Sequence, residues 1–398
     1  MKSKLMEIQK LRAFAVLMVL FGHMPLKLPQ VIMHGYSGVN LFFVISGYVV
    51  TLSFLHQEQK HINHRGRLLR DFYLRRLFRI FPVAIGWIFI YFIIAQFINF
   101  GGGGYGDMNR WIKEIVWFFS GSYNYALAIS KMPGLFGQYW SLAVEIQFYF
   151  VLPLLLIIFR KSKTRIVMSI LVIALTSTLF RFITASDNIG MFTHTQMDAL
   201  FIGIAICLMF HGDTKAKKWI DEKFKIELTP VIKNLISLSL VIALFILPSF
   251  MDETIHPIIK YPIYNLLAAI LVILAQRDTG WILGKSKCLE KIFGNIAEWS
   301  YSIYISHVIL YSGVFYFLFY KYIDIIPDWI YSTTTGVMLQ ALFLLLIALL
   351  IGAVSYYFIE TPYTKYGKNL IISIQKKDKE KESNKSVSVS KSTAIEKL

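Results

Sequence analysis

The chain has 398 residues, of which 56% are hydrophobic and only 16% charged, with a mean hydropathy of +0.55 and a formal net charge of +17. Soluble domains carry about a quarter charged residues, so a soluble globule, a disordered chain and a collagen-like repeat are excluded. The two cysteines, Cys207 and Cys288, exclude a disulfide scaffold, and the Cys and His spacings offer no metal site. What remains is an all-α polytopic membrane protein.

Taken in chain order, ten mostly apolar stretches read as transmembrane helices: about 11–27, 37–55, 81–99, 138–159, 165–183, 195–211, 231–250, 258–275, 299–320 and 335–358. The first follows a short basic segment, as a signal peptide does. It lacks a small-residue cleavage site and carries Arg12 at its start, so it reads as an uncleaved first helix. With the N-terminus in the cytoplasm, the inner segments hold 32 Lys and Arg and the outer ones 6. That asymmetry places both termini inside. The positive charge is therefore a topology signal, and a nucleic-acid partner is excluded because no folded basic face is visible.

Between spans, Gly101, Gly103 and Gly106 match GxGxxG in form, but no strand precedes them, so they read as a loop. The apolar segment Ile115–Tyr125 is too short to span and reads as re-entrant or interfacial. Residues 1–370 form the membrane domain. Residues 371–398, rich in Lys, Ser and Glu, read as a disordered basic cytoplasmic tail in reach of anionic lipid.

Ionisable groups inside a span are costly and call for a partner or a task. His23, Glu145, Arg181 and Asp198 are such groups. Arg12 and His23, 11 residues apart, are offset by only about 20° and share one helix face, about 16 Å apart along the axis. Counting about 1.5 Å per residue from each span's start puts His23, Glu145 and Ser46 in one layer, a plausible reaction chamber. Beside Gly47, Ser46 reads as a packing point rather than a nucleophile. Arg76 and Arg79, three apart in a basic loop, share a face suited to phosphate. Arg181 and Asp198 read as a structural pair across a hairpin, and His307 as a hydrogen-bonded core residue nearer the cytoplasmic side.

Seven blocks in this order, LRAFAVLMVLFGH (11–23), GYSGVNLFFVISGYVV (35–50), FYLRRLFRIFP (72–82), YWSLAVEIQFYFVLP (139–153), THTQMDALFIG (193–203), SYSIYISHVIL (301–311) and FIETP (358–362), resemble the acyltransferase family 3 membrane proteins. The resemblance covers nearly all the chain except the tail. It implies a ten-helix enzyme of the cytoplasmic membrane that moves acetyl from cytoplasmic acetyl-CoA to a hydroxyl of an envelope glycan or lipid-linked saccharide. It marks Arg12 and His23 as an essential pair, Arg76 and Arg79 as an RxxR motif, and Glu145 as the acidic residue of the fourth span. Asp198 and His307 match further family positions, as supporting residues beside Ser46. Gln196 stands where many relatives have Arg, and the esterase-like domain that some relatives append has no room here, so a second transfer step would call for a separate partner.

The expected mechanism has Arg12, Arg76 and Arg79 holding CoA phosphates, and His23 acting as general base with Glu145 orienting it. An acyl-histidine intermediate stays open as an alternative route. A transporter or flippase is the competing class, although no inverted repeat relates the two halves.

Overall fold

The computed structural model describes residues 6–26, 35–61, 64–98, 107–130, 134–184, 188–212, 228–251, 257–315 and 325–395. The described residues are helical, with no strand. In order they form α1 (Met6–Gly22), α2 (Ser37–Lys60), α3 (Arg65–Ile98), α4 (Met108–Phe119), α5 (Tyr123–Ser130), α6 (Tyr139–Ile158) and α7 (Ser162–Leu175). There follow α8 (Thr193–His211), α9 (Pro230–Met251), α10 (Pro257–Ala275), α11 (Lys287–Phe315), α12 (Thr334–Ser355) and α13 (Thr361–Ile395). A helix covers each of the ten apolar stretches. Among the described residues, eight are long and apolar enough to cross a membrane. Of the other two, α1 is short at 17 residues, and α11 carries charged and exposed residues in its first half and is buried from Ser302 to His307. The glycine motif at 101–106 lies outside the described residues.

Two central helices hold the bundle together. In α2 and α8, 67% and 72% of the apolar window is buried, against 17% in α7 and in α9, whose Val167, Ile170, Val231 and Leu235 face outward. α2 and α8 touch at glycines: a Cβ on Gly47 would collide with the Leu200 carbonyl, and one on Gly203 with the Val44 carbonyl. Small residues let the two backbones meet.

α1 is fixed at its start. The Glu7 carboxylate accepts hydrogen bonds from the backbone amides of Gly280, Trp281 (3.1 Å) and Ile282 (3.2 Å). Lys10 Nζ donates to the carbonyls of Ile282 (3.1 Å) and Gly284 (2.6 Å). The loop that wraps these two side chains needs left-handed backbone at Gly280 (φ 84°) and Gly284 (φ 58°), which glycine adopts freely. This latch sets the register of Arg12, less than one turn beyond Lys10.

The segment read as re-entrant or interfacial is part of a helical hairpin, α4 and α5, turning at Gly121. Trp111, Glu114 and Phe118 face inward, and Met108, Ile112, Val116 and Phe119 face outward. Glu114 accepts from the Tyr123 hydroxyl and from the Leu135 amide (3.1 Å), which ties the hairpin to the entry of α6.

The segment 371–395, read from the sequence as a disordered tail, falls within α13. Asp378 bonds Arg70 (2.9 Å) and lies 3.4 Å from Arg67, and Gln375 donates to the buried Asp71. These ties pin α13 to the first half of α3, and a polar helix stays ordered by such tertiary contacts.

The glycine contact gives the first prediction. Gly47→Ala is expected to destabilise the protein by about 1–3 kcal/mol, because a backbone carbonyl cannot move aside. A lowered thermal midpoint of the detergent-solubilised chain checks this, with Gly66→Ala as control, since nothing lies within 4 Å of a Cβ there.

Candidate active site

One cavity of about 100 Å³ opens between α1, α2, α3, α6 and α11, and its lining holds Arg12, Ser46, Arg76, Arg79, Glu145 and Tyr149 beside Ser141, Ser300, Tyr301 and Tyr304. Arg12 donates to Gln9 Oε1 (3.1 Å) and Ser300 Oγ (2.8 Å), both neutral. Arg76 is stacked between Phe72 and Tyr149, with 5.6 and 5.1 Å from its guanidinium carbon to the ring centroids. Arg79 follows on the next turn of the same face. Among the described residues no carboxylate comes within salt-bridge distance of Arg76 or Arg79.

The acidic side of the cavity is built from α6 and from the end of α12. The Tyr149 hydroxyl donates to Glu145 Oε2 (3.0 Å) and accepts from Ser46 Oγ (2.8 Å). Glu145 lies close enough to Arg76 and Arg79 to attract both. So Ser46 and Gly47 divide the work: Gly47 meets α8, and Ser46 turns into the cavity.

Glu360 was missed in the sequence, where FIETP contributed only to the resemblance. It accepts from Ser302 Oγ (2.8 Å) and attracts Arg79 and Arg12. A π turn, Tyr356–Glu360, joins α12 to α13 and rotates this carboxylate inward. The sequence signal was an acid within two residues of an apolar span. Three guanidiniums against two carboxylates leave the cavity with an excess positive charge.

His23 does not line this cavity. Its Nδ1 donates to the Val19 carbonyl (2.9 Å), and its ring lies 5.0 Å from His307 and 6.2 Å from Tyr36. The expected contact between Glu145 and His23 is corrected. Glu145 shares the level of Arg12, to which it is electrostatically coupled. The depth count took residue 138 as the membrane edge, but Leu135, Phe136 and Gln138 are already buried inside the protein, so Glu145 lies deeper than counted. His307, counted to a different level from His23, sits beside it.

α1 and α11 run in parallel, and Arg12 meets Ser300 as His23 meets His307. The shared face of Arg12 and His23 is thus the face that α11 covers. Tyr304 stands between the two levels. Its ring lines the cavity and lies 5.5 Å from His307, its hydroxyl donates to the Gln138 carbonyl (3.1 Å), and its own carbonyl accepts from His307 Nδ1 (2.6 Å).

Asp198 stays apart from the cavity. Arg181 Nη2 donates to Asp198 Oδ1 at 2.8 Å, both side chains are fully buried, and Ser177 adds a bond to Asp198 Oδ2 (3.1 Å). This is the hairpin pair read from the sequence. Gln196 donates to the Gly190 carbonyl at the same end (2.8 Å). Among the described residues no group of His, Cys, Asp and Glu is placed to hold a metal ion.

The sequence pattern of the acyltransferase domain matches residues 7–357. The chain belongs to the acyltransferase family 3. It is 27% identical over 385 residues to a Staphylococcus aureus (strain COL) protein whose name reads "putative O-acetyltransferase", covering 90% of this chain and 57% of that one. It is 26% identical over 375 residues to the O-acetyltransferase OatA of Staphylococcus aureus strain NCTC 8325 / PS 47, with the same coverage. This family 3 chain thus spans a little over half the length of the curated relatives it matches. No solved structure matches it.

The Arg181–Asp198 pair gives the second prediction for this acyltransferase. Asp198→Ala leaves a buried guanidinium uncompensated and is expected to cost about 3–5 kcal/mol. The yield of folded protein should fall, while the activity per folded molecule stays near that of the parent. Yield and activity measured on the same size-exclusion fraction check it.

Proposed function

We propose that this acyltransferase is an O-acetyltransferase that moves acetyl from cytoplasmic acetyl-CoA to a hydroxyl of a cell-envelope saccharide, of O-antigen, capsule or exopolysaccharide type. In this reading ten helices span the inner membrane with both termini in the cytoplasm, α1 and α11 among them. The observation that carries it is the guanidinium excess of one cavity, with no carboxylate among the described residues within salt-bridge distance of Arg76 or Arg79.

Guanidinium forks suit phosphate oxygens, and in apolar surroundings they attract anions far more strongly than in water. Arg12, Arg76 and Arg79 hold the phosphates of the donor, while Glu145 and Glu360 keep the side chains apart and aimed inward. The acyl arm then extends from the arginines toward the level of His23, about 16 Å of helix rise beyond Arg12. Because the Val19 carbonyl can only accept, Nδ1 of His23 carries the proton and Nε2 presents a lone pair. That tautomer is the one a general base needs. His23 Nε2 takes the proton of the acceptor hydroxyl as its oxygen bonds the acetyl carbon. The C–S bond breaks, and the proton passes to the departing CoA sulfur.

Two outcomes test this. Changing Arg76 and Arg79 together to Ala should raise the KM for acetyl-CoA about tenfold or more with a smaller effect on kcat, as for lost ground-state binding. An unchanged KM returns both to a topology role. His23→Ala should lower transfer at least about 100-fold at normal protein level, the range that a lost acid–base group commands. Full transfer by that variant refutes the base assignment. Labelled acetyl-CoA and membranes holding the full chain serve for both.

A further inference from the structure

A base that gains charge in an apolar setting needs a group that stabilises the charged form. In many hydrolases that group is a carboxylate bonded to the second ring nitrogen. His23 has none. Its Nδ1 is committed to the Val19 carbonyl, and among the described residues the ionisable groups touching its ring are His307 and Tyr36.

His307 is built like His23. Its Nδ1 donates to a carbonyl one turn back, that of Tyr304 (2.6 Å), so its Nε2 also presents a lone pair. The two rings stand edge to face, 5.0 Å apart at 83°. His23 is half-buried, and His307 behind it is fully buried. His307 Nε2 has no hydrogen-bond partner among the described residues, nor has the buried hydroxyl of Tyr311, whose ring lies 5.9 Å away. A histidine kept only for packing would have both nitrogens satisfied, since buried polar atoms are bonded in the great majority of cases. An acceptor left open beside the base is what a transient partner would use.

We propose that His307 is the positioning residue of His23: a second imidazole, locked by its own helix in the same tautomer, takes the place of a carboxylate and stabilises His23 while it holds the acceptor's proton. This rests on the acyl-transfer reading above. His307 gains and loses no proton. The proton that leaves the acceptor hydroxyl resides on His23 and goes on to the CoA sulfur, and the neutral His307 ring supplies an electron-rich face or lone pair toward that charge. Two neighbouring imidazoles repel when both are charged, so the pair carries one added proton at most. Among the described residues, the ionisable groups around the pair are Tyr36 beside His23 and Tyr304 and Tyr311 beside His307.

The test uses the full chain carrying His307→Leu or His307→Gln. Transfer of labelled acetyl from acetyl-CoA into the saccharide fraction of membranes is followed beside the pH profile of His23 carbethoxylation by diethyl pyrocarbonate, read on the His23 peptide by mass spectrometry. His307→Leu should lower kcat about tenfold or more and leave the KM for acetyl-CoA unchanged. The acid limb of His23 modification should move to lower pH, because the charged ring has lost its partner. His307→Gln, which keeps a polar acceptor, should recover part of both. Parental kcat with an unmoved His23 profile in folded His307→Leu overturns the proposal and makes His307 a packing residue. Should the parent chain itself transfer no acetyl, the functional reading fails, and the His23 profile still decides whether the two imidazoles are coupled.

Discussion

Burying guanidinium groups inside an apolar bundle is the constraint on which the rest of this structure depends. An isolated charge in hydrocarbon is costly, and the protein answers it three ways. Arg181 is paired with Asp198 and closed off. Arg165 is paired with Glu58 (2.8 Å) at the other end of α2. Arg12, Arg76 and Arg79 are instead gathered round an open space, with Glu145 and Glu360 at a distance and aromatic faces of Phe72 and Tyr149 against Arg76. The first two arrangements are complete as they stand. The third leaves room for an anion, as the proposed function requires.

From that difference the division of the protein into levels follows. The latch of Glu7 and Lys10 fixes the start of α1, the parallel pairing with α11 fixes its rotation, and together they set Arg12 in the charged cavity and His23 three turns above. Tyr304 marks the boundary, lining one level with its ring and bonding the other with its carbonyl. The helix tail has a part in this arrangement. α13 is pinned through Asp378 and Gln375 to the stretch of α3 that leads into Arg76 and Arg79.

Much of this was legible in the residues. The common face of Arg12 and His23 follows from helical periodicity, and so does that of Arg76 and Arg79. The Arg181–Asp198 pair was readable because both lie at one end of a hairpin. What escaped depends on contacts that no local pattern encodes. Glu145 was assigned to the wrong level because the chain before α6 is buried protein rather than membrane edge. Glu360 was passed over because a π turn, invisible in composition, rotates it inward. The bonds of Gln375 and Asp378 reach residues some 300 positions earlier, which the polar sequence of the tail does not announce. His307 is the hydrogen-bonded core residue that the sequence suggests, and only the fold shows that it lies beside His23.

The central proposal is that the positively charged cavity is entered from the cytoplasm and holds the donor nucleotide. The most direct measurement places a thiol in it: Ser46→Cys in a Cys288→Ser background, with buried Cys207 left in place. Membrane vesicles of each orientation are treated with an anionic, impermeant methanethiosulfonate with and without CoA. Rapid modification in inside-out vesicles, suppressed by CoA, is the result the account predicts. Modification from the outer face alone, or a rate that CoA does not change, would contradict it.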